Sequence, residues 1–150
     1  MKDHVVTLLV EMYPLVSGLV SLIVAQVLKV IYTYFRENRI DSHLLFSSGG
    51  MPSSHGAMVI GLTTAIGLQE GWTSALFCVS IVFSLIVLYD AAGIRRAAGL
   101  QAALLNQLAQ DFFEKGEIKA EKLTELLGHT PFEVIIGSLL GVGVAFSLYY

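Results

Sequence analysis

From Trp72 to Tyr89 the chain runs without a single charged residue, and Leu, Ile, Val and Phe dominate the stretch. An uncharged apolar run of that length is enough to cross a bilayer as a helix. It is the clearest of several. Met12 to Leu28 is also free of charge, and its apolar character continues around Lys29 to Phe35. Pro131 to Tyr150 repeats the pattern with one interruption at Glu133. Gly56 to Leu68 is apolar and Gly-rich but shorter, so it is expected to cross with little tilt or to start below the surface. Composition agrees with this reading: 55% of residues are hydrophobic, 14% are charged, and the mean hydropathy is +0.70. The expected architecture is an all-α, polytopic membrane helix bundle of about four spans, forming one domain over residues 1–150.

The first apolar run is longer than a signal-peptide core and is preceded by Asp3 and Glu11, so it is expected to be retained. The net charge of −3 and the lack of any basic run beyond Arg95-Arg96 argue against nucleic acid as a partner. Cys78 is the sole cysteine and lies inside an apolar run, which removes disulfide frameworks and zinc clusters. No metal and no cofactor are expected.

Between Asp90 and Thr130 the pattern changes. Leu100, Leu104, Leu108 and Phe112 recur every four residues opposite Gln101, Asn106, Gln107, Gln110 and Asp111, which predicts an amphipathic helix along the interface or over the bundle. The charged segment Glu114 to Glu125 that follows has helical propensity. With four crossings, both termini lie on one side, and the segments 36–54 and 90–130 lie together on the other. That second side holds Lys29, Arg36, Arg39, Arg95, Arg96, Lys115, Lys119 and Lys122, and only Lys2 lies opposite. The positive-inside rule makes it cytoplasmic.

The polar groups that stand out all fall on this side. Lys29 and Arg36 are seven residues apart, almost two whole turns, so they share a helix face about 10 Å apart. They fit either a common cavity or simple snorkelling to the headgroups. The loop Ser47-Ser48-Gly49-Gly50-Met51-Pro52-Ser53-Ser54-His55-Gly56 is rich in small residues and leads into a helix, an entry suited to an anion. Its serines also suit a plain N-cap. Asp90, Arg95 and Arg96 follow the third apolar run and suit either a phosphate or headgroup anchoring. His129 and Glu133 are one turn apart, so the carboxylate can hold the imidazole, while Thr130-Pro131-Phe132-Glu133 also reads as a capping box. Histidines, a lysine and arginines without a carboxylate cluster suit a phosphoryl group better than a metal.

These residues resemble the superfamily of type 2 phosphatidic acid phosphatases and vanadium haloperoxidases, whose pattern is Lys-x6-Arg-Pro, Pro-Ser-Gly-His and Ser-Arg-x5-His-x3-Asp. Lys29-x6-Arg36, Pro52-Ser53-Ser54-His55 and His129-x3-Glu133 follow it in order. Gly49 to His55 together with Tyr89-Asp90-Ala91-Ala92-Gly93-Ile94-Arg95-Arg96 resembles its divergent bacterial and plant branch. The resemblance implies a lipid phosphate or diphosphate phosphatase in the bacterial plasma membrane, with its active side toward the cytoplasm. His129 would be the nucleophile that forms a phosphohistidine, Glu133 its orienting partner, and His55 the acid for the leaving alkoxide. Lys29, Arg36, Ser53 and the backbone N–H of Ser54 would hold the phosphate oxygens. Glu37 replaces the first motif's proline, Ser54 the second motif's glycine, and Leu123 stands where the third has arginine, which leaves Arg95, Arg96 or Lys122 for that role. The alternative is a catalytically silent protein that keeps the cradle to bind a lipid headgroup. Four spans make a thin bundle, and Gly137-x3-Gly141 allows close helix contact, so a homodimer is expected.

Overall fold

The computed structural model describes residues 11–38, 50–113 and 128–150. The charged segment from Glu114 to Glu125, Arg39, and Ser47 to Gly49 fall outside them, as does Lys122. Every element among the described residues is helical: α1 (Tyr13–Glu37), α2 (Ser54–Glu70), α3 (Ala75–Tyr89), a π-helical turn (Asp90–Ile94), α4 (Arg95–Phe113) and α5 (Pro131–Tyr149). Pro14 sits in the first turn of α1 and Pro131 opens α5, positions where a missing N–H costs nothing. Asn38 ends α1 in the left-handed conformation, and Gly71 ends α2 at φ +93°.

Among the described residues, three helices are long and apolar enough to cross a membrane: Tyr13–Arg36, Ala75–Leu108 and Pro131–Tyr149. The fourth, α2, has 17 residues, about 26 Å of rise, and is the helix around which the others pack. The polarity of the bundle is inverted relative to a water-soluble protein. On α3 the buried residues are Ser80 and Ser84, while Leu76, Val79, Val82, Phe83, Leu85 and Ile86 face outward. Such a surface suits hydrocarbon as its solvent, with hydroxyls satisfied inward.

The inward hydroxyls are spent on α2. Ser17 of α1 donates to the Gly61 carbonyl at 3.2 Å, and Ser84 of α3 donates to the Val59 carbonyl at 3.2 Å. Thr63 joins Ser84 at 2.7 Å and reaches the Ser80 carbonyl at 3.3 Å. On the α5 side the contact is made by the absence of side chains. A Cβ at Gly56 would lie 2.9 Å from the Val134 carbonyl oxygen, one at Gly141 would strike the Ala57 carbonyl, and one at Gly137 would strike the Ser53 carbonyl. Small residues let the two backbones touch, the device that holds helices together where lipid offers no hydrophobic drive.

The span that ends at Tyr89 and the amphipathic helix predicted after it are both present, and they are joined directly. The chain does not break at Asp90; it passes through the π turn directly into α4, giving a continuous helix of 34 residues, Ala75–Leu108. Nothing there can stop a helix: no proline intervenes, and Asp90 keeps αR geometry while its N–H is shared between the Ile86 and Val87 carbonyls. A helix of 34 residues rises about 51 Å, more than the hydrocarbon layer, so α4 runs on beyond it. The leucine stripe of Leu100, Leu104 and Leu108 is exposed and does not cover the bundle.

The glycine seam yields a paired expectation. Gly137→Ala should destabilise the protein by about 1–3 kcal/mol through overpacking, whereas Gly143→Ala, at an exposed glycine with nothing within 4 Å, should be neutral or slightly stabilising. Thermal melts of the two variants in the same detergent compare them directly.

Candidate functional site

The N-termini of α2 and α5 meet. Ser53 caps α2, its hydroxyl accepting from the Gly56 N–H at 3.3 Å, and its own N–H donates to the Glu133 carbonyl in the first turn of α5 at 3.1 Å. α5 begins with a full capping box: Thr130 Oγ1 accepts from the Glu133 N–H at 3.3 Å, and Glu133 Oε2 accepts from the Thr130 N–H at 3.0 Å. Two positive helix ends therefore open toward one spot, a natural place for an anion. Both readings of Ser53 and of Thr130 to Glu133 meet here, since the caps are also what join the helix ends.

His129 stands at that spot. Its ring is 1% exposed, and Nδ1 donates to Glu133 Oε2 at 3.3 Å. With a carboxylate accepting at Nδ1, the neutral ring carries its lone pair on Nε2, and Nε2 is buried with no hydrogen-bond partner among the described residues. Burial pushes the His129 imidazole below the ordinary histidine value, and the charge of Lys29 adds to this; the Glu133 hydrogen bond and charge, with the nearby Gly50 carbonyl, pull the other way. The His55 ring, half-buried in the first turn of α2, lies edge to face with His129 at 5.8 Å between centroids.

The third wall is α1. Lys29 is fully buried, its charge felt by both Glu133 and His129, and its methylenes lie where a side chain at Gly50 would be, 3.4 Å from an added Cβ. Gly50 also has φ +89°, a conformation that L side chains rarely adopt. The loop takes this turn against the lysine because residue 50 is a glycine.

Of the residues singled out from sequence, Lys29, Ser53, Ser54, His55, His129 and Glu133 converge, Ser54 being 3% exposed. Arg36 does not join them: it is exposed, about 10 Å further along α1. The backbone of Arg95 and Arg96 opens α4, directly after the π turn, while their side chains fall outside the described residues. No group of three or more His, Cys, Asp or Glu capable of holding a metal occurs among the described residues.

One contributor gave no signal in the sequence. The Ala91 carbonyl, inside the π turn, accepts the His129 N–H at 3.1 Å, so the segment after α3 pins the backbone of the histidine. A π turn leaves carbonyls out of regular α register and so available to other donors. A backbone acceptor has no side-chain signature to read.

His129 should titrate below pH 6.5, and Glu133→Gln should lower its pKa further, because the hydrogen bond and charge that favour the imidazolium are weakened. Histidine-labelled NMR in detergent measures both shifts. An unchanged or raised value in the variant would contradict the geometry.

Residues 10–144 match the Divergent PAP2 family. The chain is also 43% identical over 149 aligned residues to the uncharacterized membrane protein YuiD of Bacillus subtilis (strain 168), covering 92% of this chain and 94% of that protein. No solved structure matches it. On the match across nearly its whole length, this integral membrane protein belongs to the Divergent PAP2 family.

Proposed function

We propose that the protein is a membrane-embedded phosphatase of lipid phosphates or diphosphates, working through a phosphohistidine on His129. The observation that carries the reading is the state of His129 Nε2: a buried ring nitrogen with no hydrogen-bond partner among the described residues, its tautomer set by Glu133 at Nδ1. A buried polar atom without a partner costs free energy, and an incoming phosphorus atom would meet it. The convergent ends of α2 and α5 and the ammonium of Lys29 supply the positive field for the phosphoryl oxygens.

In the first step Nε2 attacks phosphorus and forms the N–P bond while the ester P–O bond breaks. His55, whose ring stands edge to face with that of His129 at 5.8 Å between centroids, gives its proton to the departing alkoxide. In the second step water, losing its proton to His55, displaces His129 and releases phosphate. Because the nucleophile must be unprotonated and burial lowers its pKa, the acid limb of the first step should lie below pH 6.5. The substrate would approach from the bilayer, because Lys29 lies in a membrane helix about 12 Å short of its end. The cytoplasm is the side we assign to this site, from the bias of basic residues.

Phosphate release by the purified protein, across lipid mono- and diphosphates, tests the proposal. His129→Ala should lose about a thousandfold or more, and His55→Ala about a hundredfold or more. Vanadate, a mimic of the five-coordinate transition state, should inhibit the wild type. Equal background release from wild type and variants, all folded, would replace the phosphatase with a headgroup-binding protein.

A further inference from the structure

Gln26 lies on α1 one turn before Lys29, about 4.5 Å lower along the axis and about 60° round it. Its Oε1 is buried and accepts no hydrogen bond among the described residues. An amide in a membrane helix usually acts as glue, donating or accepting across to a neighbour. This carbonyl oxygen does neither, and burying it without a donor costs free energy.

The packing register places it. Along the antiparallel pair α1 and α2, Gly18 faces Met58 and Leu62 and Ser17 meets Gly61, and in the loop before α2 Gly50 meets Lys29. As the position on α1 rises, the partner number falls, and the two sum to about 80 throughout. Gln26 is therefore level with the segment Ser53 to His55, where α2 begins. It lies deeper in the bilayer than Lys29, on the side from which the body of a lipid would reach the phosphate site.

The chemistry of the partner follows from what an acceptor requires. The phosphate oxygens are drawn to Lys29 and the two helix ends, and the ester oxygen receives a proton from His55. The donor left to reach Gln26 from the bilayer side is a hydroxyl of the alcohol portion of the substrate. We infer that Gln26 is a specificity residue whose carbonyl accepts a hydrogen bond from a hydroxyl next to the phosphoester of the lipid, so that the favoured substrates are lipid phosphates bearing a free hydroxyl beside the ester. This rests on the phosphatase reading.

A matched pair of substrates tests it: a monoacylglycerol 3-phosphate, with its free 2-hydroxyl, and the 2-deoxy analogue of the same acyl chain. The wild type should favour the hydroxyl-bearing lipid by about tenfold or more in kcat/KM, as a site built to bind a hydroxyl does against an analogue lacking it. Gln26→Leu, or the unbranched Gln26→Met should the first not fold, should bring the ratio near unity by losing turnover of the hydroxyl-bearing lipid alone. A wild-type ratio near unity, a ratio unchanged in the variant, or an equal loss on both lipids would overturn the assignment while leaving the phosphatase intact. Absence of wild-type turnover on both these lipids and the wider panel, with no phosphohistidine trapped, would overturn both.

Discussion

Lipid chains are as apolar as leucine, so nothing hydrophobic presses one membrane helix onto another, and closeness has to come from shape and hydrogen bonds. Here it comes from α2, whose glycines and Ala57 admit the α5 backbone and whose carbonyls receive hydroxyls from α1 and α3. The rest of the structure hangs on this seam. Because Gly137 lets α5 settle against the Ser53 carbonyl, the Ser53 N–H can reach the Glu133 carbonyl, and the two helix N-termini are joined at one end of the bundle. The positive site is a by-product of that close approach.

The same end of the bundle carries its buried charge in a self-compensating form. Lys29 brings a cation from α1, Glu133 brings an acceptor from α5, and His129 lies between them with one nitrogen bonded. Removing one partner from such a group is costlier than the group itself, because it strands a charge away from water. Glu133 has two duties in consequence, capping α5 through Thr130 and fixing the His129 tautomer. The π turn adds a third anchor from α3 through the Ala91 carbonyl. Three parts of the chain, α1, the π turn and the start of α5, thus meet at one imidazole.

Much of this was legible in the residues. The charge-free runs fix membrane helices, because an unpaired charge in hydrocarbon is expensive, and Tyr13–Arg36, Ala75–Leu108 and Pro131–Tyr149 cover most of those runs. The spacing of His129 and Glu133, and the Thr130-Pro131-Phe132-Glu133 cap, are local, and local geometry follows from helical periodicity. The change of pattern read at Asp90 falls at the π turn, and the amphipathic helix after it continues the helix before it, because apolar and amphipathic segments differ in their environment and not in their ability to continue a helix.

Sequence by itself determined the class of solvent, the helices that face it, and the residue types able to hold a phosphoryl group, since these depend on transfer energies and spacing along one chain. Tertiary structure alone decided which of those residues meet. Lys29 points inward and Arg36 stays exposed, although they are almost two turns apart on one face, because α1 extends past the start of α2 and only its lower part is enclosed. The Ala91 carbonyl and the level of Gln26 were likewise beyond reading in advance, for each is set by how deeply one backbone sinks against another.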